Sequence, residues 1–264
     1  MKLGVIGAGN MGMAIINGYI KSGADAADIL VYDDYKKGVD KEISGIAEYA
    51  GIGELVGDSD IVLLAVKPNV IDEVLEEVAK KYTGKAVIAS IVAGISVSYM
   101  ESKLGKTSKI VRMMPNTPSM VNEGMCAACR NVNVTKEEFE GILGVFEGIG
   151  LAEEVPENMM DVITGLSGSG PAFVYIFIEA LADGAVMNGM PRDKAYRFAA
   201  QTVLGSARMV LETGIHPGQL KDMVASPGGT TIAGVSSLEK NGFRFAAMEA
   251  VTSATMKSKE LGNK

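Results

Sequence analysis

The sequence lacks tryptophan and contains a single histidine, His216, among its 264 residues. Its two cysteines, Cys126 and Cys129, are too few for a disulfide framework and fit a reducing compartment. A site built on several histidine ligands is therefore excluded, and we expect no metal. No uninterrupted apolar run reaches the roughly 18 residues that a membrane span needs, so we expect no membrane association.

Positive charge is scarce as well. Lysine and arginine number 25 against 32 aspartates and glutamates, which gives a net charge of −7. Binding to nucleic acid without sequence preference needs clustered positive charge, so we expect no nucleic-acid partner. The first residues lead directly into the apolar segment Leu3-Gly4-Val5-Ile6 without the pattern of a signal peptide. We therefore expect a cytoplasmic protein.

Apolar and amphipathic segments alternate through the first half of the chain. The strand-like runs are 2–6, 29–32, 61–66, 86–91 and 109–113, and the helix-like segments are 10–22 and 70–82. Strands that alternate with helices of this length are typical of βαβ units and a mainly parallel sheet. The pattern predicts an α/β protein with a Rossmann-like doubly wound sheet in residues 1–160.

The pattern changes to helices alone after Pro156. Residues 171–188, 192–213 and 243–261 each have the length and composition of a long helix. We predict an all-α domain over residues 161–264. The segment 171–188 is apolar nearly all round, which is typical of a buried helix.

A glycine-rich turn, Gly7-Ala8-Gly9-Asn10-Met11-Gly12, follows the first predicted strand and begins the first helix. This G-x-G-x-x-G spacing provides a tight turn, room for a pyrophosphate near the backbone, and close packing of helix on strand. The helix N-terminus offers free N–H groups to the phosphates. In this context the motif predicts a dinucleotide-binding site, against the alternative of a plain turn.

Two pairs of charged residues follow the second strand and leave the cofactor preference open. Asp33 and Asp34 lie about 20 residues beyond the glycines, where a carboxylate binds the ribose 2′-hydroxyl of NAD. Lys36 and Lys37 come next and are candidates to hold the 2′-phosphate of NADP instead. A solvated loop without either role is the remaining alternative.

Three further segments have the composition of ligand-binding turns. Ala65-Val66-Lys67-Pro68 ends the third apolar strand, and ligands bind beyond the carboxyl ends of such strands. Thr164-Gly165-Leu166-Ser167-Gly168-Ser169-Gly170-Pro171 precedes the apolar helix. Ser226-Pro227-Gly228-Gly229-Thr230-Thr231 offers hydroxyls and N–H groups suited to a small carboxylate. Each is also compatible with an ordinary helix entry.

Taken together, these segments resemble the pyrroline-5-carboxylate reductase family. Further matching segments are Ser90-Ile91-Val92-Ala93-Gly94, Met114-Pro115-Asn116-Thr117-Pro118 and His216-Pro217-Gly218-Gln219-Leu220-Lys221-Asp222. The motifs keep the family's order over nearly the whole chain. The Ser-Pro-Gly-Gly segment is much more specific than the glycine fingerprint, which many dehydrogenases share.

The resemblance implies the reduction of L-1-pyrroline-5-carboxylate to L-proline with NADPH or NADH. It implies that Ser226, Gly229, Thr230 and Thr231 hold the substrate carboxylate and that Thr164 lies near the reacting imine. The glycine turn would bind the cofactor phosphates, and Ala65, Val66, Lys67 and Pro68 would line the nicotinamide side. It also implies a homodimer, or a larger ring of dimers, formed through the C-terminal helices.

The sequence is also compatible with two other functions. A β-hydroxyacid dehydrogenase shares the Rossmann start and the all-helical second domain, and a cofactor-binding regulator would need no turnover. The C-x-x-C pair at Cys126 and Cys129 lies in a strand-like segment that would place the thiols on opposite faces, so we predict bystander residues. His216 precedes Pro217, which favours a helix-start role over catalysis.

Overall fold

A computed structural model describes residues 1–262 of the chain. It divides into two compact units. The first contains Met1–Gly168 together with the C-terminal residues from Ala254 onward, and the second contains Ser169–Ser253.

One eight-stranded sheet forms the centre of the first unit, within residues 1–262. Its strands are β1 Leu3–Ile6, β2 Ile29–Tyr32, β3 Ala47–Glu48, β4 Ile61–Leu64, β5 Val87–Ser90, β6 Ile110–Met114, β7 Gly124–Arg130 and β8 Gly150–Glu154. They are arranged in the order β3-β2-β1-β4-β5-β6-β7-β8, and every neighbouring pair is parallel except β6 and β7. The chain thus leaves β1 in one direction and returns to β4 on its other side, which creates a switch point of the kind where ligands bind.

Helices cover both faces of this sheet. They are α1 Asn10–Lys21, α2 Val39–Glu42, α3 Ile52–Asp58, α4 Ile71–Lys81, α5 Val97–Leu104, α6 Lys136–Glu147 and α7 Met160–Ile163. Alternate residues of one strand enter different cores: Ile61 and Leu63 of β4 pack in one, while Val62 and Leu64 pack in the other. A strand buried on both faces has a continuous apolar sequence, and the predicted doubly wound sheet is confirmed.

The described residues of the second unit form helices joined by turns, without a strand. Its helices are α8 Gly170–Met187, α9 Arg192–Thr213, α10 Pro217–Val224, α11 Thr230–Lys240 and the first part of α12, Phe243–Gly262. The small buried residues Ala182, Ala195 and Ala199 let α8 and α9 approach each other closely. The predicted all-helical second half is confirmed.

The prediction that residues 171–188 form a buried helix is wrong for the single chain. Ala182 is the only buried residue of α8, whereas Tyr175 and Ile176 are 59% and 65% exposed. An all-round apolar pattern shows that a helix has apolar neighbours, but it does not show that the same chain supplies them. The apolar surface of α8 has the character of an interface.

By length and composition, the helical stretch Glu157–Met187 also passes a test for membrane spans. Its apolar window has a mean hydropathy of 1.4 and is 6% buried. This window is not an uninterrupted apolar run, because Glu179 and Asp183 interrupt α8. One such helix is weak evidence for a membrane, since helices that pack against protein pass the same test.

Two glycines let α1 pack directly on the segment that joins α6 to β8. A Cβ on Gly18 would lie 2.1 Å from Cγ2 of Ile149, and one on Gly148 would lie 1.9 Å from the carbonyl oxygen of Gly18. A side-chain rotation could not make room for either Cβ, because each would also contact backbone atoms of the opposite segment. This contact therefore requires glycine on both sides.

We expect Gly18→Ala to lower the free energy of unfolding by about 1–3 kcal/mol, because the added methyl overpacks this contact. Gly144→Ala is the matched control, since no atom lies within 4 Å of a Cβ built there in α6. The control should raise stability by about 0.5–1 kcal/mol through its helix propensity. Chemical denaturation of both variants measures this, and effects of the same sign would contradict the packing argument.

Candidate dinucleotide site and substrate segments

The turn after β1 follows a backbone path that only glycine allows. Gly7 has a φ of +105°, and a Cβ there would lie 2.6 Å from the carbonyl oxygen of Ala65. A Cβ on Gly12 would lie 2.2 Å from the carbonyl oxygen of Gly7. These two glycines therefore set the turn and place α1 against it, as the motif predicts.

Gly9 differs from its neighbours because the space around it is open. No atom lies within 4 Å of a Cβ built on Gly9, although its φ of −69° is ordinary for any residue. Gly9 is also the N-cap of α1, and no side chain caps the helix. An exposed helix N-terminus beside open space suits a pyrophosphate, so the residues present fit a dinucleotide.

A pocket of about 1110 Å³ opens over this turn, where β1, β2 and β4 end. Of the predicted cofactor residues, Gly7, Ala8, Gly9, Asn10, Asp33, Ala65, Val66 and Lys67 line it. Three others do not line it: Met11 packs against the core, Gly12 is buried within the turn, and Pro68 begins a short 3₁₀ helix. The structure thus brings the predicted segments of the first unit together at the switch point.

Asp33 braces the turn with its carboxylate. Its Oδ2 accepts a hydrogen bond from the N–H of Ala8 at 2.6 Å, and its Oδ1 accepts from those of Tyr35 and Lys36 at 2.8 Å each. Burial opposes ionisation of this half-buried group, but the three backbone donors together outweigh it and lower the pKa of Asp33 below its ordinary value. The side chain is therefore ionised and structural, a role that the sequence pattern alone does not reveal.

The residues beyond Asp33 form a small network of charges. The Nζ of Lys36 donates to Oε2 of Glu42 at 2.9 Å, and Lys37 donates to the carbonyl oxygen of Asp33. The hydroxyl of Tyr32 donates to Asp34, and this bond is the main reason why the pKa of Tyr32 rises to about 12. Glu42 had no predicted role, and its contact with Lys36 depends on how the loop folds.

Thr164 lies at the start of a π-helical turn, Thr164–Gly168, in the first unit. Its half-buried hydroxyl donates to the carbonyl oxygen of Met160 at 2.8 Å. Asn116 holds the far end of this turn: its Nδ2 donates to the carbonyl oxygen of Ser167 at 3.0 Å, while its Oδ1 accepts from the N–H of Met125. Single π-turns are common at functional sites.

Asn116 is a residue to which sequence reasoning assigned no role. It lies in Met114-Pro115-Asn116-Thr117-Pro118, directly after β6, where a strand ends near the candidate site. An amide between two prolines, at the carboxyl end of a strand, was the available signal. The carbonyl group that Asn116 binds, that of Ser167, lies 51 residues further along the chain, so the sequence near Asn116 does not reveal it.

The Ser226–Thr231 segment belongs to the second unit and forms a tight turn before α11. Gly228 has a φ of +69°, and a Cβ on Gly229 would lie 2.4 Å from Oγ of Ser226. Thr230 and Thr231 lie in the first turn of α11, which has Gly229 as its N-cap and no side-chain cap. The segment therefore offers hydroxyls and helical N–H groups together.

The other chemically suggestive residues have structural environments. Cys126 packs in one core of the sheet and Cys129 in the other, so the predicted opposite faces are confirmed. Burial raises the pKa of the Cys126 thiol to about 12 and that of Cys129 to about 11. His216 caps α10 by accepting from the N–H of Gly218. Within residues 1–262, no group of three or more His, Cys, Asp or Glu residues could hold a metal.

Known proteins show the same organisation along their whole length. Residues 157–261 match the family model for pyrroline-5-carboxylate reductase dimerisation, and residues 2–94 match that for NADP oxidoreductase, coenzyme F420-dependent. The pyrroline-5-carboxylate reductase of Methanosarcina acetivorans is 46% identical over 267 residues, which cover 100% of this chain and 98% of that protein. The enzyme of that name from Escherichia coli is 46% identical over 263 residues, covering 98% of each.

Solved structures agree. The structure of Plasmodium falciparum pyrroline carboxylate reductase with NADP bound has a TM-score of 0.88 and 36% identity, covering 99% of this chain and 98% of its own. The Coxiella burnetii pyrroline-5-carboxylate reductase has a TM-score of 0.93 and 36% identity, covering 98% of each chain.

A Rossmann sheet with this phosphate turn at its switch point defines an NAD(P)-dependent oxidoreductase. The full-length relatives make the assignment narrower. The chain belongs to the pyrroline-5-carboxylate reductase family, and the β-hydroxyacid dehydrogenase alternative is set aside.

We expect Cys126 and Cys129 to be inert in the folded protein. The thiolate is the reactive form, and pKa values of about 12 and about 11 keep both groups protonated at pH 8. A chromogenic disulfide reagent should label neither cysteine in native protein and both after unfolding in guanidinium chloride. Labelling of folded protein at the rate of a free thiol would contradict the buried placement.

Proposed function

We propose that the protein reduces the cyclic imine L-1-pyrroline-5-carboxylate to L-proline with NADPH or NADH, the final step of proline biosynthesis. The observation that carries this proposal is the full-length similarity to reductases of that name. In this chain the family's segments form two glycine-rich turns, each at an uncapped helix N-terminus. One turn suits a cofactor pyrophosphate and the other suits a substrate carboxylate.

The cofactor residues follow from the pocket. The N–H groups at the start of α1, around Gly9, Asn10 and Met11, bind the phosphates, while Gly7 and Gly12 keep the turn close to β4. Ala65, Val66 and Lys67 line the nicotinamide side, and Pro68 follows them at the start of a short 3₁₀ helix. When bound, the dihydronicotinamide supplies the hydride, and the protein supplies position and electrostatics.

The substrate carboxylate binds at the Ser226–Thr231 turn. Ser226 and Thr231 donate from their hydroxyls, and Thr230 donates its backbone N–H at the start of α11. Gly229 shapes the turn, because its own N–H donates to the carbonyl oxygen of Ser226 at 3.1 Å. The partial positive charge of a helix N-terminus favours an anion there. Pyrroline-5-carboxylate carries its carboxylate on a small ring, so holding that group orients the imine carbon for hydride transfer.

Thr164 acts on the imine nitrogen as a hydrogen-bond acceptor. The one proton of its hydroxyl is donated to Met160, so the oxygen retains only its capacity to accept a second bond. A protonated imine has an N–H to donate and is already electrophilic. The hydroxyl therefore orients and stabilises the cationic imine, and no strong general acid is required.

Assembly and location complete the proposal. Residues 1–160 serve as the dinucleotide-binding domain, and residues 161–264 serve in substrate binding and dimerisation. The exposed apolar surface of α8 and the match of residues 157–261 to a dimerisation model support a homodimer, or a larger ring of dimers, formed through the C-terminal helices. The acidic composition and the family support a cytoplasmic enzyme without nucleic-acid or membrane partners.

The deciding experiment measures oxidation of NADPH and of NADH by purified protein given pyrroline-5-carboxylate. Proline should accumulate in step with cofactor loss. Binding of both cofactors without imine-dependent oxidation would reject the reductase activity and favour a cofactor-binding regulator.

Two substitutions should separate substrate binding from turnover. Ser226→Ala removes a donor to a charged group, which is worth about 1.5–3 kcal/mol, so we expect KM to rise about 10- to 100-fold with kcat little changed. Thr164→Ala should lower kcat, and Thr164→Ser should restore it because the acceptor returns. Steady-state kinetics across pH measure the change in KM for Ser226→Ala and the change in kcat for the Thr164 variants. An unchanged KM in the first variant, or unchanged turnover in the second, would remove the corresponding role.

A further inference from the structure

The adenosine end of the pocket is strongly acidic. Two lysines line the pocket, Lys36 and Lys67. Six carboxylate side chains line it as well: Asp33, Asp34, Glu42, Glu73, Glu76 and Glu77. Among the described lining residues there is no arginine, the side chain best suited to a phosphate. Two of the carboxylates, Asp33 and Asp34, directly follow β2, where the adenosine ribose of a dinucleotide lies in this fold.

The two lysines that could hold a 2′-phosphate are already engaged. Lys36 forms an ion pair with Glu42 at 2.9 Å. Lys37 donates to the carbonyl oxygen of Asp33, lies 5.4 Å from the centre of the Tyr32 ring, and does not line the pocket. Recruiting either lysine to a phosphate would break an existing interaction.

Asp33 keeps its negative charge while it braces the turn. Three backbone N–H groups stabilise its ionised form and use three of its roughly four acceptor positions. One acceptor position therefore remains for a ribose hydroxyl. The neighbouring carboxylate of Asp34 accepts from the hydroxyl of Tyr32, a neutral donor that leaves the charge in place.

We propose that this acidic pocket makes the protein prefer NADH to NADPH, with Asp33 and Asp34 as the specificity-determining pair. The inference rests on the proposed function only in taking the pocket as the cofactor site. The preference acts through repulsion: a 2′-phosphate brings about two further negative charges toward Asp33 and Asp34. The two lysines that follow them, Lys36 and Lys37, already have partners.

Binding without substrate tests the preference directly. The dissociation constants of NADH and NADPH are measured by fluorescence titration of the full chain at low salt, with no imine present. We expect NADH to bind at least about tenfold more tightly, the scale of one close like-charge contact near a protein surface. Added salt should narrow the ratio, because screening weakens the repulsion. Equal affinities, or tighter NADPH binding, would overturn the proposal.

Two nucleotides restrict the test to the ribose end. Competition by AMP and by adenosine 2′,5′-bisphosphate compares ligands that differ only in the 2′-phosphate. AMP should compete more strongly, by a factor similar to that between the dinucleotides. A bisphosphate that competes as well as AMP would overturn the assignment to Asp33 and Asp34.

A pair of matched variants tests the charge itself. Asp34→Asn removes a negative charge without releasing a backbone N–H, so NADPH affinity should rise about threefold and the ratio of the two dissociation constants should narrow. Asp58→Asn is the control: Asp58 likewise accepts from a tyrosine hydroxyl, that of Tyr49, but it lies outside the pocket lining. Equal changes in the two variants would contradict the role of Asp34.

The outcomes separate this proposal from the proposed function. A reductase active with both cofactors, yet without tighter binding of NADH, would retain the function and reject the preference. Selective NADH binding without imine-dependent oxidation would retain the preference and reject the function.

Discussion

The site depends on the close approach of two backbone segments: the turn at Gly7 and Ala65, the residue directly after β4. A single Cβ on Gly7 would lie 2.6 Å from the Ala65 carbonyl oxygen. Because the Gly7 turn lies against Ala65, α1 begins directly after β1, and its uncapped N–H groups lie at the switch point of the sheet. The pocket opens over this turn, and the carboxylate of Asp33 accepts a hydrogen bond from the next residue, Ala8.

Helices and strands that depend on local sequence patterns could be predicted. The spacing of apolar residues located β2 at 29–32 and α9 at 192–213 with the bounds that the structure has, because periodicity and turn residues determine such elements within a few positions. It failed for α8, since an all-round apolar helix has the same sequence whether its neighbour is its own chain or another. The bracing by Asp33 was also out of reach, because the pattern places the carboxylate but not the loop N–H groups that fold around it.

Long-range polar contacts were the least predictable part of the site. Asn116 joins the loop after β6 to the π-turn that begins at Thr164, through Ser167. Neither sequence segment shows that it needs the other. This hydrogen bond ties the turn that begins at Thr164 to the loop after β6, and the partly buried carbonyl of Ser167 would lose its amide partner without Asn116.

The double duty of Asp33 has an evolutionary consequence. In the proposed cofactor site, this one side chain sets the charge at the ribose end and also accepts from the N–H of Ala8. A substitution that removes the charge must therefore keep a hydrogen-bond acceptor for that N–H. Serine or threonine keeps an acceptor for that N–H, whereas alanine or glycine does not. Mutational paths toward a new cofactor are thereby narrowed to the few side chains that are neutral and still accept a hydrogen bond.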